Sequence, residues 1–162
     1  LYTTGENVFR DGLRRNLGRN SYQLYIARLI ERLELRENVV FTGGLDAAGM
    51  KARYLASNVF VSASTIENSP NSVGEAMLLG CPVVSSCVGG VPDMLEHGRE
   101  GFLYQASAPY MLAWYVKRVF GDDELAMGFS KAAHERAART HDRERNLRDL
   151  LDIYDSLTRQ GL

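Results

Sequence analysis

Short β-branched or aromatic runs recur through the chain: "NVVF" at 38–41, "NVFVS" at 58–62, "PVVSS" at 82–86 and "GFLY" at 101–104. Stretches of helical period separate them. Such connections are too long for hairpins and suit crossovers, so the runs are expected to pair as a parallel sheet with helices on both faces. Right-handed crossovers bring all strand C-terminal ends to one edge. Ligands of such sheets bind at that edge. The informative residues are therefore those just after strands: Gly5, 42–45, 64–72 and 86–91.

The sequence between the strands sharpens this α/β, Rossmann-like expectation. "LYTTG" reads as a first strand and turn, followed by a polar stretch rich in Arg, Asn and Gly. Asn20 or Ser21 is expected to cap a helix whose core stripe is Tyr22, Tyr25, Ile26, Leu29, Ile30 and Leu33. Asp46 should cap a short helix with Met50 and Tyr54. A helix is expected over about 72–79, capped by Asn71 or Ser72 and stopped by Gly80. "CVGGVPDMLEHG" reads as a loop with one helical turn. Beyond Ser107, an expected cap, the pattern is a helical tail: one helix with Met111, Trp114 and Tyr115, one over about 123–139, and one from Asp142 to about Thr158. The last carries Leu147, Leu150, Leu151, Tyr154 and Leu157 on one side. Residues 1–106 are read as the ligand-binding core and 107–162 as helices of the same domain.

Composition bounds the function. The 162 residues are 45% hydrophobic and 24% charged, with net charge −1. That is an ordinary globular mix, and nothing global draws it to nucleic acid or an anionic membrane. Arginines 136, 139, 143, 145 and 148 read as a solvated helix face. No run approaches the ~20 apolar residues of a bilayer span, and no signal peptide is visible. Cys81 and Cys87 flank a strand, up to roughly 20 Å apart. They read as free thiols, consistent with a cytoplasmic location. Neither has a neighbouring His, so no metal site is expected. His97 falls in a polar turn, with His134 and His141 near helix ends. Trp114 reads as core or interface. The chain opens without Met, inside what reads as a strand, so a piece of a longer protein is expected.

The chemistry concentrates in "STIENSPNSVGEAM" (64–77). A strand leads into a loop, and a helix then begins. Its first N–H groups lack intrahelical acceptors, and with the helix dipole they make a site for phosphate. Pro70 stiffens the turn. Ser69, Ser72 and Gly74 are small enough for close approach. Glu75, one turn in, can accept two hydrogen bonds from a ribose diol. Glu67 stands on the other side of the amides. The layout matches ribose, two phosphates and a sugar. Two glutamates eight apart are, by themselves, more often surface charges.

The motifs "FTGGL", "ASNVFVSAST", "ENSPNSVGEAMLLGCPVVSS", "VGGVPDMLEHGREGFLY" and "IYDSL" occur in that order. Together they resemble the C-terminal, donor-binding half of GT-B fold retaining glycosyltransferases of family 4 (group 1), which carry an E-x7-E motif. The resemblance is strong over 39–104. It implies transfer of a hexosyl-type sugar from a nucleotide diphosphate sugar to a hydroxyl acceptor, with no further cofactor. It assigns Glu67 to the donor sugar near the reacting centre and Glu75 to the ribose. Donor-binding roles follow for Ser64, Asn68, Ser69, Pro70, Asn71, Ser72 and Val73, for Gly43, Gly44 and Leu45 beside the base, and for Gly89 and Gly90. For the glycine pair, simple tight-turn geometry is an equal alternative. The family's Gly-Arg loop, its downstream Lys and its N-terminal acceptor domain are absent, so this stretch alone is expected to be inactive. Asp93 stands where many members have Glu.

The resemblance implies further partners: the missing N-terminal domain and a membrane-associated acceptor, the latter making the inner membrane face an alternative location. The apolar stripe of the last helix offers a route to self-association. The competing functions are a nucleotide-sugar epimerase on the same fold and a non-catalytic α/β interaction module.

Overall fold

The computed structural model describes residues 1–9 and 20–159. The polar stretch read at 10–19 lies outside the described residues. The chain divides into two compact units, Leu1–Met50 and Lys51–Leu162.

In the first unit, β1 (Tyr2–Thr3) pairs in parallel with β2 (Val40–Phe41). Between them runs α1 (Ser21–Arg32), whose N-terminus is closed by a reciprocal Asn20–Gln23 capping box. Its core stripe is narrower than the periodicity predicts. Ile30 and Ala27 are buried and pack with Val8, Ile26, Phe41 and Val39. Tyr22, Tyr25 and Leu33 are exposed. The two strands described in this unit offer too little surface to cover the whole apolar face of a three-turn helix.

In α2 (Ala47–Leu55), Asp46 accepts the Gly49 N–H at 2.8 Å, the expected cap. The second unit then builds a three-stranded parallel sheet in the order β3 (Phe60–Ser62), β4 (Val83–Ser86), β5 (Gly101–Tyr104). The register pairs Val84 with Val61 and Phe102. All of β4 is buried, as a central parallel strand should be.

The helix between β3 and β4 is α3 (Asn71–Leu78). Gly80 ends it at φ +67. The Gly80 N–H reaches the Met77 carbonyl and the Cys81 N–H the Ala76 carbonyl, a Schellman closure that only glycine enters without strain. One turn, α4 (Val91–Met94), follows β4. The tail is α5 (Pro109–Gly121), α6 (Asp123–Thr140) and α7 (Arg143–Arg159). Asp122 caps α6 through the Leu125 N–H, and Asp142 accepts from Arg145. Ser107 does not cap α5. The N-cap is Ala108, Pro109 follows, and Ser107 accepts from Gln105 instead.

The core of this unit joins Val84, Phe102 and Tyr104 to Tyr115 and Val119 of α5 and Phe129 of α6. Phe102 stacks on Tyr115 at 4.4 Å and meets Phe129 edge-on at 4.8 Å. Such pairs add about 0.5–1.5 kcal/mol each beyond area burial. His97 is no free turn residue. It lies against both Phe102 and Tyr115, and its Nδ1 accepts the Leu103 N–H. A neutral ring there carries its proton on Nε2.

Helix α6 forms a rail behind α3, running antiparallel to it. Ser130 sits at Gly80, His134 at Leu78 and His141 at Gly74. His134 lies inside α6, not near its end, and its Nδ1 donates to the Leu78 carbonyl at 2.6 Å. A carbonyl only accepts, so this ring carries a proton on Nδ1, where the His97 Nδ1 accepts. The missing Cβ of Gly74 is what admits the His141 ring. Trp114 is 54% exposed, not core. Helix α7 has no buried residue, and the apolar side that its periodicity marks, Leu147 to Leu157, is open.

Candidate active site

The loop after β3 and the start of α3 carry the predicted carboxylates. Glu67 is half-buried. Its Oε1 accepts the Ser64 hydroxyl at 2.7 Å. The Ser64 carbonyl in turn accepts the hydroxyl of Ser86, fully buried in β4, at 2.6 Å. A two-step relay thus ties the carboxylate to the central strand and fixes where it points.

The backbone of the same loop rests on the glycine pair after β4. The Gly90 N–H donates to the Asn68 carbonyl at 2.5 Å. Gly89 holds φ +53, and a Cβ there would overlap the Glu67 carbonyl oxygen. At Gly90 a Cβ would come within 2.6 Å of the Asn68 oxygen. The pair does more than turn tightly: it lets two backbones meet beneath Glu67. Ser69 adds a hydroxyl contact to Met94 Sδ at 3.6 Å. From behind, Arg136 of α6 donates from Nη2 to the Asp93 carbonyl at 2.8 Å. Loop, glycine turn, α4 and α6 form one connected support.

At the start of α3 the cap is not Asn71 or Ser72. Pro70, buried and without an N–H, is the N-cap, and no side chain closes the end. The Val73 N–H turns back to the Pro70 carbonyl at 3.1 Å, and the Val73 side chain is fully buried. That leaves the amides of Asn71 and Ser72 as the open donors. An uncapped N-terminus wastes about 1 kcal/mol that a Ser or Asp side chain would supply. It also keeps the donors and the positive dipole end free for an anion.

Glu75 projects from α3 and is exposed. Its Oε2 accepts the hydroxyl of Tyr54 at 3.3 Å. The helical pattern marked Tyr54 as an apolar contact of α2, and no sequence signal revealed its polar end as the partner of Glu75. The ring is 5% exposed and packs edge-on with Phe60. Burial, then the adjacent Glu75 charge and its hydrogen bond, push the Tyr54 phenol up to about 12. Burial pushes the Cys81 thiol up to about 11. Both groups are favoured neutral in the folded chain, so the unfolded chain sheds these protons first. Their contribution is intact below about pH 9 and is lost as pH rises through 11–12. Equilibrium unfolding followed across pH 8–12 is expected to show falling stability above pH 9, and Glu75→Gln should bring the Tyr54 absorbance titration below 12.

Among the expected site residues, Ser64, Glu67 to Val73, Glu75, Gly89 and Gly90 thus belong to the second unit, on the loops and helix start after β3 and β4. Gly43, Gly44 and Leu45 follow β2 in the first unit, Gly43 at φ +70.

Residues 17–136 match the sequence profile of the glycosyl transferases group 1. The chain belongs to this family. Its relatives include an uncharacterized glycosyltransferase of Methanocaldococcus jannaschii, 35% identical over 98 residues, a match covering 60% of this chain and 25% of that protein. Among solved structures, Anabaena HepE in complex with UDP superposes with a TM-score of 0.80 at 26% identity, over 86% of this chain and 38% of that one. Sucrose-phosphate synthase from Thermosynechococcus elongatus gives 0.78 at 26% identity, over 90% and 37%. The chain therefore spans about a quarter of the curated relative and under two-fifths of either crystallised protein. As a group 1 member it has the Rossmann-like architecture of one half of a GT-B glycosyltransferase, parallel sheets flanked by helices with a helical C-terminal tail.

Proposed function

We propose that this chain is the donor-binding part of a retaining glycosyltransferase, one that moves a sugar from a nucleotide diphosphate sugar to a hydroxyl acceptor. The observation that carries the reading is the uncapped start of α3 between two held carboxylates. The Asn71 and Ser72 amides would meet the diphosphate. Glu75, its Oε2 already occupied by Tyr54, keeps Oε1 and spare lone pairs for the ribose hydroxyls. Glu67, oriented by Ser64, would face the sugar. The crystallised HepE relative was solved with UDP, and again with UDP and glucose at 26% identity, which favours a uridine nucleotide as the first ligand to try.

In this reading the work is electrostatic. Negative charge grows on the departing diphosphate, and fixed amides with a helix dipole stabilise it without reorganising. The held geometry of Glu67 supplies positioning. The acceptor side is assigned to the rest of a longer protein, so the chain alone should bind donor without transferring it.

Calorimetric titration with UDP and a UDP-sugar tests this. Glu75→Ala should weaken both ligands by about 1–3 kcal/mol, the range for a charged hydrogen-bond partner. Glu67→Ala should weaken the UDP-sugar and leave UDP unchanged. An unaltered affinity in Glu75→Ala would remove the ribose role, and a chain that ignores nucleotides altogether would favour an interaction module.

A further inference from the structure

Helix α5 turns one face to the core through Tyr115 and Val119. The opposite face has a composition that core packing does not explain. Tyr110 is 74% exposed, Trp114 54% and Phe120 60%. Lys117 and Arg118 stand exposed among them. At 3.6 residues per turn, Tyr110, Trp114 and Lys117 share an arc of about 60°, with Arg118 and Phe120 on its flanks. No acidic residue occurs anywhere in the helix. The Arg118 guanidinium lies over the Trp114 ring and the Phe102 ring, 5.2 Å from each centroid, so this cation is held at the surface in a set position.

From this face we infer that α5 is a docking surface for an anionic lipid bilayer. The arrangement is about 15 Å long. A single helix face of that size falls short of the ~800 Å² per partner of a stable protein interface. Aromatic rings beside Lys and Arg are the side chains that the headgroup zone takes up together. The rings sink to the acyl boundary and the cations meet lipid phosphate. No helix among the described residues is long and apolar enough to cross a membrane, so the contact is peripheral. The net charge of −1 supplies no long-range pull, and the attraction is local to Lys117 and Arg118. Asp122, Asp123 and Glu124 follow directly at the junction with α6, and Asp122 is engaged as its cap. They keep the Phe120 end shallow and leave Tyr110, Trp114 and Lys117 as the inserting edge.

Trp114 is the chain's single tryptophan, so its emission reports on this face alone. With vesicles of phosphatidylcholine mixed with phosphatidylglycerol, its emission is expected to shift to the blue and the chain to co-sediment. Pure phosphatidylcholine should give neither, and added salt should reverse both. Each cation near such a surface is worth about fivefold in binding, so Lys117→Gln with Arg118→Gln should weaken it roughly 30-fold. Tyr110→Ser, at an exposed position, should weaken it with unchanged thermal unfolding. Equal binding to neutral vesicles, indifference to the double substitution, or the same blue shift with polyglutamate would overturn the proposal. So would a shift that grows with protein concentration in the absence of lipid, which would mark a second copy as the occupant.

Discussion

Gly89→Ala is expected to cost about 3 kcal/mol or more. Two effects add. A Cβ at φ +53 carries the left-handed penalty of about 1–2 kcal/mol. It also overlaps the Glu67 carbonyl oxygen, which is backbone and cannot swing aside as a side chain would. The loop bearing Glu67 must move, or the turn must. Gly98 separates the two effects: it sits at φ +83 with nothing within 4 Å of a built Cβ. Gly98→Ala should cost only the strain, about 1 kcal/mol. At roughly 2–4 °C per kcal/mol for a chain of this size, thermal unfolding should drop by about 6–12 °C at Gly89 against 2–4 °C at Gly98. Equal losses at the two positions would mean that the close approach beneath Glu67 contributes nothing. Nucleotide-sugar affinity should fall further in Gly89→Ala than UDP affinity, because the displaced loop is the one carrying Glu67.

Arg136→Ala is the second large effect. Glu100 is 2% exposed, and its Oε2 accepts the Glu96 N–H at 2.8 Å. Arg136 Nη1 stands 3.7 Å from that oxygen, and Arg99 Nε 3.5 Å from Oε1. Removing one partner of a buried pair costs about 3–5 kcal/mol because a charge is stranded. Arg99 remains, and the Arg136 side chain is 27% exposed, so about 2–4 kcal/mol is the expected loss. The pair itself is no bargain, since Arg136 Nε is buried with no hydrogen-bond partner, a cost of about 1–3 kcal/mol. Arg136→Met with Glu100→Leu should therefore recover most of the stability lost in either single variant. A double-mutant cycle by chemical denaturation checks this, and strictly additive losses would refute the coupling. What the apolar pair cannot restore is the Arg136 hydrogen bond to the Asp93 carbonyl, the link from α6 to the turn under Glu67.

The elements of this fold were readable where local chemistry decides them. "GFLY" marked β5 residue for residue, and Gly80 marked the end of α3, because φ +67 suits glycine. The capping roles of Asp46 and Asn20 follow from side chains that reach their own helix. The errors arise where a distant segment chooses. The stripe expected for α1 is wider than its buried face because, among the described residues, the sheet it meets has two strands. Asn71 and Ser72 looked like caps, but Pro70 starts the helix one residue earlier. His134 lies well inside α6, and nothing local shows that the Leu78 carbonyl awaits it. At the candidate site, the spacing of Glu67 and Glu75 was legible and their supports were not. Ser86, Tyr54 and Arg136 lie in other elements, and only the folded chain brings them to Ser64, Glu75 and Asp93.

The strand order β3-β4-β5 has a kinetic consequence. Each strand pairs with its successor in the chain, so no loop longer than one crossover must close before a pairing is rewarded. Each such closure still joins residues about twenty apart, such as Phe60 with Val83 and Val84 with Phe102, and parallel pairing across a crossover is a slow, non-local step. The sheet that carries the Glu67 loop and the glycine turn buries Val84, Phe102 and Tyr104 against Tyr115 and Val119 of α5 and Phe129 of α6, so its pairing is fully rewarded only when the chain beyond Tyr104 has docked. The loop and turn beneath Glu67 are thus expected to set together with the helical tail, in one cooperative step rather than ahead of it.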